Sequence, residues 1–352
     1  MNTFGRILRL TTFGESHGVA LGGVLDGVPA GIKITVAEIQ QELDLRRPGF
    51  SQVTSARREL DQVEILSGVF QKRTIGTPIA FLVRNKNAAS QDYVKLKNLF
   101  RPGHADFVYE QKFGLRDYRG GGRSSGRETV ARVAAAAIAA KIFAPQKIKV
   151  YAFAEEIAGI KAQRFQPKFI YQNPVRAADP SAVAAMTAKI LAAKAQGDSV
   201  GGVIGIRVQN VPVGLGEPVF DKVEAILGQA LLSIGAVKGV EFGAGFLSSQ
   251  AIGQTFNDEF LSLKQKKTNF AGGILGGITD GSEIIIRLAI KPTASISKMQ
   301  NMINHKGQPR KIKILGRHDP CLVPRIVPVA AAMVKLVLAD FVLRQRLNKI
   351  SQ

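Results

Sequence analysis

Tryptophan is absent from this chain, and 352 residues hold one cysteine, four histidines and five tyrosines. A single thiol, Cys321, excludes an internal disulfide and fits a reducing compartment. No histidine pair has the i, i+4 spacing of a helical metal motif and the thiol is isolated, so no metal site is expected. Tryptophan and tyrosine, two of the side chains on which unpaired bases stack, are thus scarce or absent. Uncharged apolar runs stay short of the ~20 residues that span a bilayer. The N-terminus lacks the basic-then-apolar pattern of an exported chain. The expectation is a cytoplasmic protein with no membrane contact.

Acidic residues are also scarce. There are 27 against 48 lysines and arginines, a net charge of +21. Such an excess serves either a nucleic-acid binder, through phosphate neutralisation, or a cleft that concentrates a small polyanion. The arginines favour the second reading, because Arg46-Arg47, Arg57-Arg58, Arg101 and those from Arg116 to Arg132 cluster in glycine-rich, motif-like loops. Nucleic-acid arms tend instead to be unstructured runs of like charge. A basic nucleic-acid-binding protein is the alternative, and no nucleic acid is expected as a partner.

The densest such loop, Gly120-Gly-Gly-Arg-Ser-Ser-Gly-Arg-Glu-Thr129, runs into an alanine-rich stretch, 130–144, with the composition of a helix. A glycine loop at a helix N-terminus offers N–H groups and a positive dipole end to an anion, and Arg123 and Arg127 add forked donors. A nucleotide P-loop is excluded. Its lysine position holds Arg127, its hydroxyl position holds Glu128, and residues 115–119 are not an apolar strand.

The remainder reads as mixed α and β without a linker. Thr35 and Glu38 have capping-box spacing and open a helix to about Leu43. Strands are expected at 63–70, 78–83, 148–153, 201–211 and 283–290. Asp179-Pro180 reads as an N-cap and first-turn proline of a helix ending at Gly197. Phe220, Val223, Ile226, Leu227, Ala230, Leu231 and Ile234 recur at helical spacing. Residues 326–347 form an apolar closing helix. Polar loops at 46–55 and 85–92 are expected to move until ligands arrive.

Three histidines lie in loops rich in glycine, arginine and acid: His17, His104 and His318. Imidazole is poised for proton transfer near neutral pH, so acid–base work is the favoured reading. Nothing around Cys321 marks it as an activated nucleophile.

Seven blocks in order resemble the chorismate synthase family. They are Thr11-Thr-Phe-Gly-Glu-Ser-His-Gly18, Arg101-Pro-Gly-His-Ala-Asp106, the segment from Asp117 to Thr129, Val237-Lys-Gly-Val-Glu241, Ala271-Gly-Gly-Ile-Leu-Gly-Gly277, Lys291-Pro-Thr-Ala-Ser295 and Gly316-Arg-His-Asp-Pro-Cys321. The resemblance implies a lyase of the shikimate pathway, in aromatic amino-acid biosynthesis. It removes phosphate from 5-enolpyruvylshikimate-3-phosphate by anti-1,4-elimination, with reduced FMN as cofactor and no net redox change. NADPH is a candidate reductant, direct or indirect. The implied fold is α+β, a single domain over 1–352 with helices between two antiparallel β-sheets, assembled as a homotetramer.

By the same resemblance, His17 is a general acid near the leaving phosphate, His104 protonates reduced flavin, and Asp319 takes a proton from it. His318 is a neighbour rather than a proton carrier. Arg46, Arg47, Arg101 and Arg127 fall at substrate positions. Arg123, Ser124, Ser125, Gly235, Ala236, Gly276, Lys291, Pro292, Thr293, Ala294, Ser295 and Arg317 fall at FMN positions. Phe270, Gly235 and Gln52 depart from the residues that relatives carry.

Overall fold

The computed structural model describes residues 1–55, 59–85, 97–263, 265–314 and 318–348. Two five-stranded antiparallel sheets form its outer layers. In the first, Thr3–Phe4, Arg9–Gly14, Ala20–Asp26, Ile79–Arg84 and Val63–Ile65 lie side by side in that order. In the second the order is Ile160–Lys161, Lys149–Ile157, Gly202–Gln209, Ile284–Ile290 and Val237–Phe242. Ile284–Ile290 alternates buried and less buried positions, the period-two pattern of a strand with one face on the core.

Helices fill the space between the sheets. Thr129–Ala139 packs against the first sheet and Val323–Asn348 against the second, and the two helices pack on each other. Every residue of Thr129–Ala139 except Arg132 is buried, as a helix apolar on all sides requires. Its alanines let neighbouring elements approach closely. Each fully buried isoleucine or leucine in or around it, such as Ile138, Ile39 or Leu25, contributes ~1.5–3 kcal/mol of apolar burial. This is the α+β sandwich that the resemblance implied.

Val323–Asn348 is the only described helix long and apolar enough to cross a membrane, but 94% of its apolar window is buried inside the protein. That makes it a core helix. Near its C-terminal end, buried Asp340 accepts the backbone N–H groups of Arg6, Ile7 and Leu8, so the helix anchors the start of the first sheet.

The capping box forms as the sequence indicates, with Thr35 and Glu38 closing the start of Val36–Arg46. Other boundaries shift for local reasons. The alanine-rich helix stops at Ala139, and a short turn carrying Pro145 follows at Ala144–Gln146. The expected strand 63–70 splits into Val63–Ile65 and Val69–Phe70, separated by Gly68 at φ +78°. Phe220 is exposed and precedes its helix, which begins at Val223 after an extended Lys222. The segment 46–55 is turn-rich, and most of the expected 85–92 loop lies outside the described residues.

Candidate active site

A cleft of about 390 Å³ opens beside the N-terminal ends of the two central helices. The glycine loop forms one edge as two tight 3₁₀ turns, Gly122–Ser124 and Gly126–Glu128, leading directly into the alanine helix. Gly122 adopts φ +50°, a conformation that suits glycine. The turns change what the loop offers. The N–H groups of Ser124, Ser125 and Glu128 donate to the loop's own carbonyls at Gly121, Gly122 and Ser125. Part of the N–H cradle expected from the sequence is therefore spent internally, and the loop presents serine side chains and bare glycine backbone.

Arginines enter from different elements, each met by carboxylates. Arg46, at the end of Val36–Arg46, is 2% exposed, donates to Asp61 at 2.5 Å and reaches Thr129 at 3.1 Å. Burial pulls its pKa down to about 10, against the opposing pull of Asp61. Arg127 donates to the other oxygen of Asp61 at 2.7 Å, to Asn85, and to Glu59. Asp61 is itself buried at φ +45°, a conformation in which aspartate is more tolerated than most residues. Arg101 grips Asp106 through Nε and Nη2, both at 2.7 Å.

The proton-transfer candidates share this cleft. His17, His104 and Asp319 all line it. His17 Nδ1 lies 3.0 Å from Ser16 Oγ. The close approach of Gly120 leaves no space for a Cβ beside the His17 ring. Asp319 accepts the Ser55 N–H at 2.8 Å and Arg325 Nη1 at 2.5 Å, and its backbone carbonyl accepts the Thr293 hydroxyl at 2.7 Å. Cys321, next along, is wholly buried, and burial pushes its thiol up to about 12. It stays protonated and is not a nucleophile.

Most of the residues singled out by sequence converge here. Arg46, Arg101, Arg127, Ser124, Ser125, Gly235, Ala236 and the run Lys291, Pro292, Thr293, Ala294, Ser295 all line the cleft. Arg47 lines a neighbouring cavity and pairs with Asp44 at 2.8 Å. Arg123 is not among the cleft-lining residues. Its guanidinium donates to Gly14 O, Thr12 and Asn2 at the edge of the first sheet. Gly276 is also outside, in the hairpin of Ile274–Leu275 and Ile278–Thr279. Arg317 lies outside the described residues. Of the departures, Phe270 stacks on Phe256 and Gln52 accepts Lys194 through its backbone. Neither lines the cleft.

Reasoning from sequence missed the countercharges. Asp61, Glu59 and Arg325 stand in none of the glycine–histidine blocks that drew attention. Arg325 alone had a local signal, four residues beyond Cys321 at the start of the closing helix.

The residues present suit a flavin. Ile234, Ala236, Leu322, Ile326 and Val329 supply an apolar surface, and Ser124, Ser125, Thr293 and Ser295 supply hydroxyls. An added Cβ at Gly126 meets nothing within 4 Å, and one at Gly235 meets only Ser124 O at 3.9 Å, so both glycines leave open the space that a flat ring needs. Lys291 brings an ammonium to the rim, where it also donates to Gly103 O at 3.0 Å.

The same reading emerges from known proteins. The family model for chorismate synthase matches residues 8–343. The chain is 52% identical over 345 residues to chorismate synthase of Nitratidesulfovibrio vulgaris, covering 98% of this chain and 97% of that one. It is 53% identical over 347 residues to chorismate synthase of Methanocella arvoryzae, covering 96% and 93%. A crystal structure of chorismate synthase superposes with a TM-score of 0.77 at 30% identity, covering 97% of this chain and 93% of that one. With its sandwich fold and a single cleft that gathers histidines, arginines and an aspartate, this chain belongs to the chorismate synthase family.

Proposed function

We propose that the cleft between the glycine loop and the start of the closing helix is where this chain performs its family's reaction. That reaction is loss of phosphate from 5-enolpyruvylshikimate-3-phosphate to give chorismate, the last step of the shikimate pathway. The observation that carries the placement is the meeting of His17, His104 and Asp319 with Arg46, Arg101 and Arg127 in one space. The substrate carries a phosphate and two carboxylates, and a cleft lined by guanidinium groups attracts and orients it.

Ser124, Ser125, Gly235, Ala236 and the run Lys291 to Ser295 would hold reduced FMN, which would supply the electron density that the elimination needs. The protein's own groups do the rest. Arg127 and Arg101 hold anionic substrate groups in low-dielectric surroundings where such contacts are strong. His17 holds a proton at the leaving oxygen, and Ser16 orients its ring. His104 holds a proton facing the flavin site. Asp319 receives a proton on its carboxylate, which Ser55 and Arg325 keep in place. NADPH as a reductant, a homotetramer and a cytoplasmic location complete the proposal. Exposed Phe246, Leu247, Phe260, Leu261 and Leu263 supply apolar surface suited to self-association. The nucleic-acid alternative rests on net charge alone.

Anaerobic turnover of 5-enolpyruvylshikimate-3-phosphate with chemically reduced FMN tests the placement, read as phosphate release and the ultraviolet absorbance of the product diene. Product from the wild type and its loss in folded His17→Ala and Asp319→Ala variants is the expected result. Undiminished turnover in either variant removes that residue from the mechanism.

A further inference from the structure

Asp106 is 3% exposed and sits at the first residue of the helix Asp106–Phe113. It does more than neutralise Arg101. Oδ1 accepts Arg101 Nη2 at 2.7 Å and lies 3.1 Å from His104 Nδ1; Oδ2 accepts Arg101 Nε at 2.7 Å and the Arg101 backbone N–H at 3.1 Å. Arg116 approaches Oδ1 from behind at 3.4 Å. Burial disfavours its charge, but the hydrogen bonds from Arg101 and His104 outweigh it and hold the carboxyl well below the usual range. Asp106 is therefore an ionised, acceptor-only group facing one nitrogen of an imidazole that lines the cleft.

His104 Nδ1 has a rival neighbour, Arg101 Nη2, also at 3.1 Å. A guanidinium only donates, so facing it alone Nδ1 would act as acceptor and the ring would carry its proton on Nε2. Facing a carboxylate, Nδ1 carries the proton. The two neighbours favour opposite tautomers. The carboxylate contact is charge-assisted, and it is the only one of the two compatible with a doubly protonated ring.

Resting on the role given to His104 above, we propose that Asp106 is a positioning residue that fixes His104 as the Nδ1–H tautomer. The proton this histidine exchanges is then the one on Nε2, the nitrogen outside the Asp106–Arg101 clamp. Asp106 thereby ties the orientation of a proton carrier to that of Arg101, a substrate arginine.

The test is nitrogen NMR of the full-length protein labelled with ¹⁵N-histidine at a pH where the ring is neutral, with His104→Gln to assign the signal. The expected result is an Nδ1–H ring in wild type and a shift toward Nε2–H in Asp106→Asn. In turnover, Asp106→Asn should lower kcat about 10- to 100-fold, the range of a misplaced proton carrier, with a smaller change in substrate KM. An Nε2–H ring in wild type overturns the proposal without any variant. An unchanged tautomer or unchanged kcat in folded Asp106→Asn overturns it as well. The tautomer is read without turnover, so it stands apart from whether the reaction assigned to the cleft is correct.

Discussion

The cleft is lined by two interleaved sets of residues built on opposite principles, an arginine wall and a small-residue wall by composition. One wall carries Arg46, Arg101 and Arg127 with Asp61, Glu59 and Asp106, all buried or nearly so. The other carries Ser124, Ser125, Gly235, Ala236 and the segment from Lys291 to Ser295, where small side chains, hydroxyls and bare backbone prevail. Taking a charge out of water costs several kcal/mol unless it is paired. The arginine wall can hold cations ready for a polyanion only because carboxylates hold them first. The small-residue wall carries little charge to balance, so its constraint is volume. The first wall should fail by loss of a partner and the second by gain of an atom.

The largest effect should come where the walls meet. Asp319→Asn removes a charge from the cleft while keeping the shape, and turnover should fall about 10²- to 10⁴-fold with FMN still bound, measured anaerobically with phosphate release. Next is the arginine wall itself. Asp61→Ala leaves Arg46 and Arg127 short of their shared partner and should cost ~3–5 kcal/mol of stability, as breaking a buried pair does. Replacing Arg46 with Met in the same protein should recover part of that loss in denaturant melts. If Asp61→Ala melts like wild type, the wall is not held by charge.

The small-residue wall should respond less in stability and more in binding. Gly235→Val should weaken reduced FMN about tenfold, or ~1.4 kcal/mol, in anaerobic titration, with little change in melting. A Cβ there has only Ser124 O nearby, so the fold itself has no reason to object. The smallest effect is acid sensitivity. Asp106 has a folded-state pKa below its unfolded value of ~3.9. Its contribution is therefore complete above that value and lost as pH falls toward the folded one. Thermal melts from pH 7 downward should drop most steeply below about pH 4, and Asp106→Asn should flatten that drop. An equally steep drop in the variant would place the acid sensitivity elsewhere, for example at Glu38, whose bond to Lys141 holds it down to about 2.

Local signals were read well wherever short-range chemistry decided the outcome. The Thr35–Glu38 capping box, the alanine helix and the strand ending at Ile290 follow from propensity and period. The histidine and arginine blocks pointed to one site because each carries its chemistry in a few consecutive residues. Arg123 shows where this stops. Its place in the glycine loop marks it as an anion ligand, yet the 3₁₀ turn swings its side chain to Thr12 and Gly14 on the first sheet. Asp61 shows the converse, since nothing beside it in sequence announces a counterion for two arginines that arrive from residues 46 and 127.

By itself the sequence determined the type of several helices and strands, the inert setting of a lone cysteine, and the identity of the chemical groups. Those depend on backbone propensity, hydrophobic period and side-chain chemistry, all of which act within a few residues. Only the tertiary structure decided which carboxylate neutralises which arginine, which nitrogen of His104 faces a carboxylate, and which loop residues reach the cleft. Pairing of buried charge and hydrogen bonding of buried carboxylates act through space: the charge partners stand 15 residues apart at Arg46 and Asp61 and 66 at Asp61 and Arg127, and the Ser55 N–H that Asp319 accepts comes from 264 residues away.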